Sequence, residues 1–417
     1  MDRAGFRDYV FPLDHPQVAR LQGKDAHVHA QSARGNPRAQ ELLIEPWSRL
    51  ITEPFTGITT DGTPIRGLFD LVPDDAPAAE MVSAVRRLLG LLDDEGRETV
   101  LLPLDARQWR MWNNTEIYLF VYGLRMDEIS PALRDAICAV LRVSLSDQGY
   151  DKTRHAMWLN GYLGELTAAP AILGEWSYNF TLFGEPSDRE PWGWQLAGHH
   201  LALNCVIVDG QMVISPTFLG AEPNWAPEGP YGHAVLFADE ERMGAELMAS
   251  LSPELRRQAV VYDLLKDPAM PSGRWHQADQ RHLGGAFRDN RVVPYEGAPV
   301  SAFSASQRQR LMALAGEFLV LPAGPRAHRL AEIERHLDDT HFCWIGETDG
   351  EHPFYYRIQS PVIMIEFDEH AGVFLSNEEP ERFHIHTIVR TPNGNDYGMD
   401  LLRMHYARAH PGHRPGA

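Results

Sequence analysis

The sequence predicts an α+β fold built by internal duplication, as two pseudo-twofold-related halves, each of helices followed by antiparallel β-strands. Three observations carry this. Residues 179–204 (NFTLFGEPSDREPWGWQLAGHHLALN) and 341–366 (HFCWIGETDGEHPFYYRIQSPVIMIE) align without a gap at a constant offset of 162. Phe180 meets Phe342, Gly184 meets Gly346, Glu185 meets Glu347 and Pro191 meets Pro353. Next, the apolar alternation is kept in both copies: Leu201 and Leu203 meet Ile363 and Ile365, and Trp192 and Trp194 meet Phe354 and Tyr356. Finally, the helical stretch before each copy recurs at an offset near 159, pairing Leu92 with Leu251, Glu95 with Glu254 and Arg97 with Arg256. A single repeat of this length is one duplication, not a solenoid.

Taken in order, residues 1–78 form an irregular N-terminal arm, with Pro and Gly punctuation through FTGITTDGTPIRGLFDLVPDDAP and no sustained helical period. The first α+β repeat spans residues 79–230. AEMVSAVRRLLGLL sets Met81, Val85, Leu88, Leu89 and Leu92 on one helical face. SPALRDAICAVLRVSL opens with a Ser130 cap and Pro131 at the first helical position. DKTRHAMWLNGYLGELTAAP reads as a further helix, closed by Pro170. WSYNFTLFG, WGWQLAGHHLALNCVIV and QMVISPTFLG are strands, the last two joined by the hairpin dipeptide Asp209-Gly210. The second repeat spans residues 231–417 and runs through a helix capped by Ser304, a helix over RAHRLAEIERHLDD, and the strands HFCWIG, FYYRIQSPVIMIEFD and RFHIHTIVRT. A Gly- and Pro-rich insertion, PSGRWHQADQRHLGGAFRDNRVVPYEGAP, reads as a long ordered loop.

The 417 residues suffice for two core-forming units. A net charge of −19 argues against nucleic acid or an anionic membrane as partner, since phosphate binding needs a basic surface. Neither an N-terminal apolar leader nor an 18-residue apolar run occurs, so a cytoplasmic protein is expected. Cys138, Cys205 and Cys343 follow no metal or redox spacing and suit buried thiols in a reducing compartment.

Histidine is the informative residue type. His199 and His200 stand in GHHLALN, His384 and His386 in FHIHT, and His405 in LLRMHY. Read as a strand, GHHLALN puts His200 on the face of Ala202 and Asn204, and His199 on the face of Leu201 and Leu203. Glu366 takes the position of Asn204 in the second copy. His384 and His386, two apart, share one side of their strand. Convergence of His200, His384 and His386 with Glu366 makes a first shell for Zn, Mn or Fe. The plainer reading, hydrogen-bonded histidines that fix strand pairing, stays beside it. His27 and His29 lie in the arm without a scaffold, and His155, His233, His276, His282 and His341 read as surface or structural. The turn TPNGNDYGMD holds Asn395 and Asp396, and WNNTEIYLF holds Asn113, Asn114 and Glu116, each either a cap or a pocket wall. A GxSxG elbow, a phosphate-binding GxxxxGK loop, an HExxH helix and a dinucleotide fingerprint are all missing.

The motifs WSYNFTLFGEPSDREPWGWQLAGHHLALN, SPTFLGAEP, FYYRIQSPVIMIEFD and FHIHTIVRTPNGNDYG together resemble a bacterial family, domain of unknown function 3500, over about Met81 to His410. The resemblance implies that the GHH and HIH elements recur among relatives, and little about activity.

The function expected is a metal-dependent hydrolase of a small organic substrate. His200, His384 and His386 would hold a divalent ion, with Glu366 as ligand or general base and His405 as a further catalytic group. His199, Asn204, Trp194, Asn395 and Asp396 would contact substrate. A non-haem iron oxygenase or lyase acting on a small aromatic compound, and a non-catalytic ligand-binding or scaffold protein, are the alternatives. The expected partner is a small molecule, with a homo-oligomer open.

Overall fold

The computed structural model describes residues 3–409; the outer ends of the first and last predicted segments lie outside them. Twelve strands form one sheet: β1 (Leu101–Leu102), β2 (Leu124–Arg125), β3 (Tyr178–Phe183), β4 (Trp192–Gly198), β5 (Leu201–Val208), β6 (Gln211–Ala221), β7 (Val260–Tyr262), β8 (Ala298–Pro299), β9 (His341–Gly346), β10 (Phe354–Gln359), β11 (Met364–Glu369) and β12 (Ile385–Arg390). Their spatial order is β1-β3-β4-β5-β6-β12-β11-β10-β9-β7, with β2 on β3 and β8 on β9. The protein is therefore α+β, with a large mixed sheet in which β1 and β7 are the parallel members.

The pairing registers repeat at the sequence offset. Phe180 opposes Leu196 as Phe342 opposes Ile358, and Leu196 opposes Leu203 as Ile358 opposes Ile365. At the edges Leu124 opposes Phe180 as Ala298 opposes Phe342, and Leu101 runs parallel to Leu182 as Val260 does to Trp344. The two sets meet at the antiparallel β6–β12 pair in the middle of the sheet.

Strand alternation assigns the faces. Trp192, Trp194, Leu201, Leu203, Phe342, Tyr356, Ile365 and Ile385 point to one side and pack under the helices Ala78–Gly90, Pro131–Ser144, Asp147–Leu166, Ala238–Ser250 and Ala305–Glu317. Each such large side chain, once buried, contributes about 1.5–3 kcal/mol. The helices start where their caps dictate: the Oγ of Ser130, Ser146, Ser252 and Ser304 accept from the N–H three residues on. Asp209 and Gly210, both at positive φ, turn β5 into β6.

The opposite face carries Ala202, Val206, Phe218 and Ile388. It is covered by the N-terminal segment, the stretch through Trp109–Phe120, part of the insertion and the helix Met399–Ala409. Here the predicted irregular arm is corrected: residues 3–50 hold short helices, including Ala26–Arg34 and Glu45–Leu50, and Trp47 stacks on Phe287 of the insertion. Packing against the sheet supplies the order that local periodicity does not. Among the described residues no helix is long and apolar enough to cross a membrane.

Candidate metal centre

The predicted strand through GHHLALN breaks at its histidines. His199 and His200 form the turn between β4 and β5, so strand alternation does not place them. His200 takes a left-handed backbone (φ 60°), an arrangement that costs on the order of 1 kcal/mol for a residue with a Cβ. Its carbonyl accepts from Gly220 N–H at 2.8 Å, which pins the turn against β6. A Cβ at Gly220 would lie 2.9 Å from Cδ2 of both His200 and His386, so the bare backbone makes the room for these two rings. His386 stands opposite Gly220 on β12, and His384 lies two residues earlier.

The ligand atoms of His200, His384 and His386 all lie within 4.8 Å of one another, and the three residues are buried. His384 Nδ1 is 2.8 Å from the carbonyl of Ala371, which can only accept. Nδ1 therefore donates, and Nε2 is the nitrogen turned to His386. That Nε2 is 3.1 Å from His386 Nε2, close to the roughly 3.3 Å between two nitrogens bound tetrahedrally to one ion at ordinary bond lengths. The ring centroids of His200 and His386 are 5.0 Å apart and those of His384 and His386 4.9 Å apart, separations that two imidazoles on one ion can have. Burial and the neighbouring imidazoles push the pKa of His200 and His386 well below the usual histidine value, leaving both neutral with lone pairs available. Glu222 stands behind: its Oε1 accepts the N–H groups of Val373, Phe374 and Leu375 and lies 3.8 Å from His384 Nδ1.

His199 stacks on His200 with centroids 3.8 Å apart. Its Nδ1 is 2.7 Å from Asn160 Oδ1, and Asn160 Nδ2 donates to the Gly174 carbonyl, so Nδ1 is the protonated nitrogen and Nε2 keeps a lone pair. Burial lowers its pKa to about 4. His199 also forms part of the wall of a cavity of about 30 Å³ whose lining includes Asn113, Glu116 and Tyr118, room for a water molecule. His29, expected to lack a scaffold, faces inward from the helix Ala26–Arg34 and sits 3.1 Å from Glu116. That carboxyl is held down at about 2: burial would raise it, but the His29 hydrogen bond and the charges of His29 and Arg20 prevail.

Other predicted site residues go elsewhere. Glu366 accepts from Leu283 N–H, Gly284 N–H and Tyr355 Oη, the last at 2.6 Å. Its lone pairs are thus used in holding the insertion to β11, and the carboxylate that shares a cluster with imidazoles is Asp368. Asn204 donates to the Pro216 carbonyl and accepts from Gln195 at 2.6 Å, deeper in the sheet. Trp194 lies on the helix-covered face, donating to Ser144 Oγ. Asn395 Oδ1 accepts from Leu401 N–H, and Asp396 pairs with Arg390 at 3.1 Å and accepts from Ser215 and Thr391. His405 is 2.8 Å from Asp209 at the far hairpin. Each of these groups has hydrogen-bond partners within the chain.

Sequence reasoning missed His282, Asp368 and His370, whose ligand atoms also lie within 4.8 Å of one another. Asp368 is the register partner of His386, and the His370 and His386 rings are 4.0 Å apart, so the two groups adjoin. The D-E-H spacing of Asp368 and His370 repeats that of H-I-H and was the available signal. His282 sits in the insertion, where no period announces it.

A family model described as "Protein of unknown function (DUF3500)" matches residues 74–399. No curated protein and no solved structure matches the chain.

Proposed function

We propose, for a chain that belongs to the DUF3500 family, a metal-dependent enzyme in which His200, His384 and His386 hold a divalent ion for hydrolysis of a small organic substrate. The observation that carries the reading is the approach of His384 Nε2 and His386 Nε2 to 3.1 Å in a buried imidazole cluster. Such an ion, when bound, polarises a carbonyl-like oxygen and lowers the pKa of a bound water toward neutrality. The chain's own contribution is orientation and proton handling. The Ala371 carbonyl fixes the His384 tautomer, as the outer partners of ligating histidines do, and the Glu222 carboxylate adds negative charge 3.8 Å behind Nδ1. With Glu366 engaged, His199, held at Nδ1 by Asn160 and lining the small cavity, would be the residue able to take up a proton at Nε2.

A second reading, a non-haem iron oxygenase, is favoured by one specific feature: Phe218 and Phe374 wall the imidazoles with apolar rings, which suits an activated oxygen species better than a charged substrate. We also infer that the halves, residues 79–230 and 231–417, descend from a duplication related by a pseudo-twofold axis; the matching registers on either side of β6–β12 support this.

The test is a chelator-stripped chain reloaded with zinc, manganese or iron(II), followed by thermal melting and by turnover of a panel of esters, amides and lactones with oxygen uptake monitored. Metal-dependent stabilisation lost in His384→Ala and His386→Ala, with turnover and no oxygen uptake, is the expected result. Iron-dependent oxygen uptake selects the oxygenase. Stabilisation by no metal removes both readings.

A further inference from the structure

We propose that the centre is binuclear, with a second divalent cation held by His282, Asp368 and His370 beside the first. The inference rests on the metal reading above and deepens it. The three groups come from two separated segments: Asp368 and His370 from β11 and its end, His282 from the insertion laid over it. All three are buried, and their ligand atoms converge within 4.8 Å.

The second, independent observation is an unsatisfied atom. His370 Nε2 lies 3.0 Å from Asp368 Oδ2, yet it makes no hydrogen bond to any group, because the direction of approach is wrong for one. A buried ring nitrogen left without a partner has lost its hydration with nothing in return. Two donor atoms at contact distance, neither pointing a proton at the other, are arranged as ligands of one ion are. His282 completes the set. Its Nε2 is 3.3 Å from the His386 carbonyl and so is the donor, which leaves Nδ1 as the ring nitrogen to coordinate.

Asp368 is fixed in advance. Arg281 donates to it from both Nε and its backbone N–H, so the carboxylate needs no reorganisation on binding, although the guanidinium charge weakens attraction for a cation. Two imidazoles and a carboxylate suit a harder ion than three imidazoles do, so the sites differ in preference: manganese or iron at Asp368, zinc at His384. Adjacent ions of this kind clamp both the attacking and the leaving oxygen in a displacement.

Zinc(II) and manganese(II), titrated singly and together into the chelator-stripped full chain, with bound ions counted and identified by native mass spectrometry, test the proposal. Expected are two ions in the wild type, one in His282→Gln and Asp368→Asn, and one in His384→Gln. His282→Gln retains a side-chain donor for the His386 carbonyl, and Asp368→Asn retains the shape beside Arg281, so one variant covers for the other if it folds poorly by circular dichroism. One ion in the wild type, kept by His282→Gln and lost by His384→Gln, overturns the second site and leaves the first. A single ion lost through changes in either triad overturns the binuclear arrangement in favour of one shared ion. No ion in the wild type overturns both.

Discussion

Strand β12 ends in two buried polar clusters on the same sheet face, and they are built on opposite principles. At its far end Arg390 is enclosed by Asp289 and Asp396, with the Gly284 and Gly285 carbonyls accepting from Nε and Nη2. Ser215, Thr391 and Tyr397 close the two carboxylates. At its near end His384 and His386 face His200, His282 and His370 with few hydrogen bonds among them and a ring nitrogen of His370 unpartnered. A buried polar group is ordinarily paired, so the first cluster explains itself as structure. The second leaves a buried ring nitrogen unpartnered, and it is there that the proposed ions would sit.

Breaking the closed cluster has the largest expected effect. Arg390→Met strands two buried carboxylates and destabilises by about 3–5 kcal/mol, read as the urea midpoint, with metal loading of whatever remains folded unchanged. The open cluster answers to ligand instead. Saturating the stripped chain with metal at about 100 times Kd adds about 2.7 kcal/mol, seen as a rise in Tm that His386→Ala abolishes.

Acid should find the difference too. His199 titrates at about 4 in the folded chain against about 6.5 unfolded. Between those values the unfolded chain binds more protons, so the contribution is complete above about pH 6.5 and is lost as pH falls toward 4. His199 alone accounts for on the order of 3 kcal/mol, with His200, His370 and His386 shifted in the same direction. Stability of the metal-free chain followed from pH 7.5 to 4.5 checks this, and a flat profile would contradict the buried neutral cluster. Smaller still, Glu222→Gln should weaken metal binding about 10–100-fold by loosening His384. His405→Ala, in a half-buried pair with Asp209 at the far hairpin, should change stability by no more than about 1 kcal/mol and leave metal binding alone.

Much of the fold was legible because its determinants are local. Ser130 and Ser304 announce helix starts, Asp209-Gly210 announces a hairpin, and the offset of 162 predicts pairs that the registers match. Three of the clustered imidazoles were legible as well, from the HH and HIH elements. Alternation tells which face a strand residue takes but not how deep it stands beside its neighbour. Glu366 and Asp368 share a face, and only the β11–β12 register decides that Asp368 lies opposite His386 while Glu366 lies opposite Ile388.

The sequence by itself determined the α+β class, the strand and cap positions and the residue types able to bind a cation, since these follow from periodicity, backbone preference and side-chain chemistry. Tertiary structure alone decided which of them meet. The sharp turn at His200, the bare backbone of Gly220 and the insertion that carries His282 bring distant segments to one end of the central strands. Contacts across a hundred or more residues depend on the relative placement of packed elements, and a local pattern carries no measure of that placement.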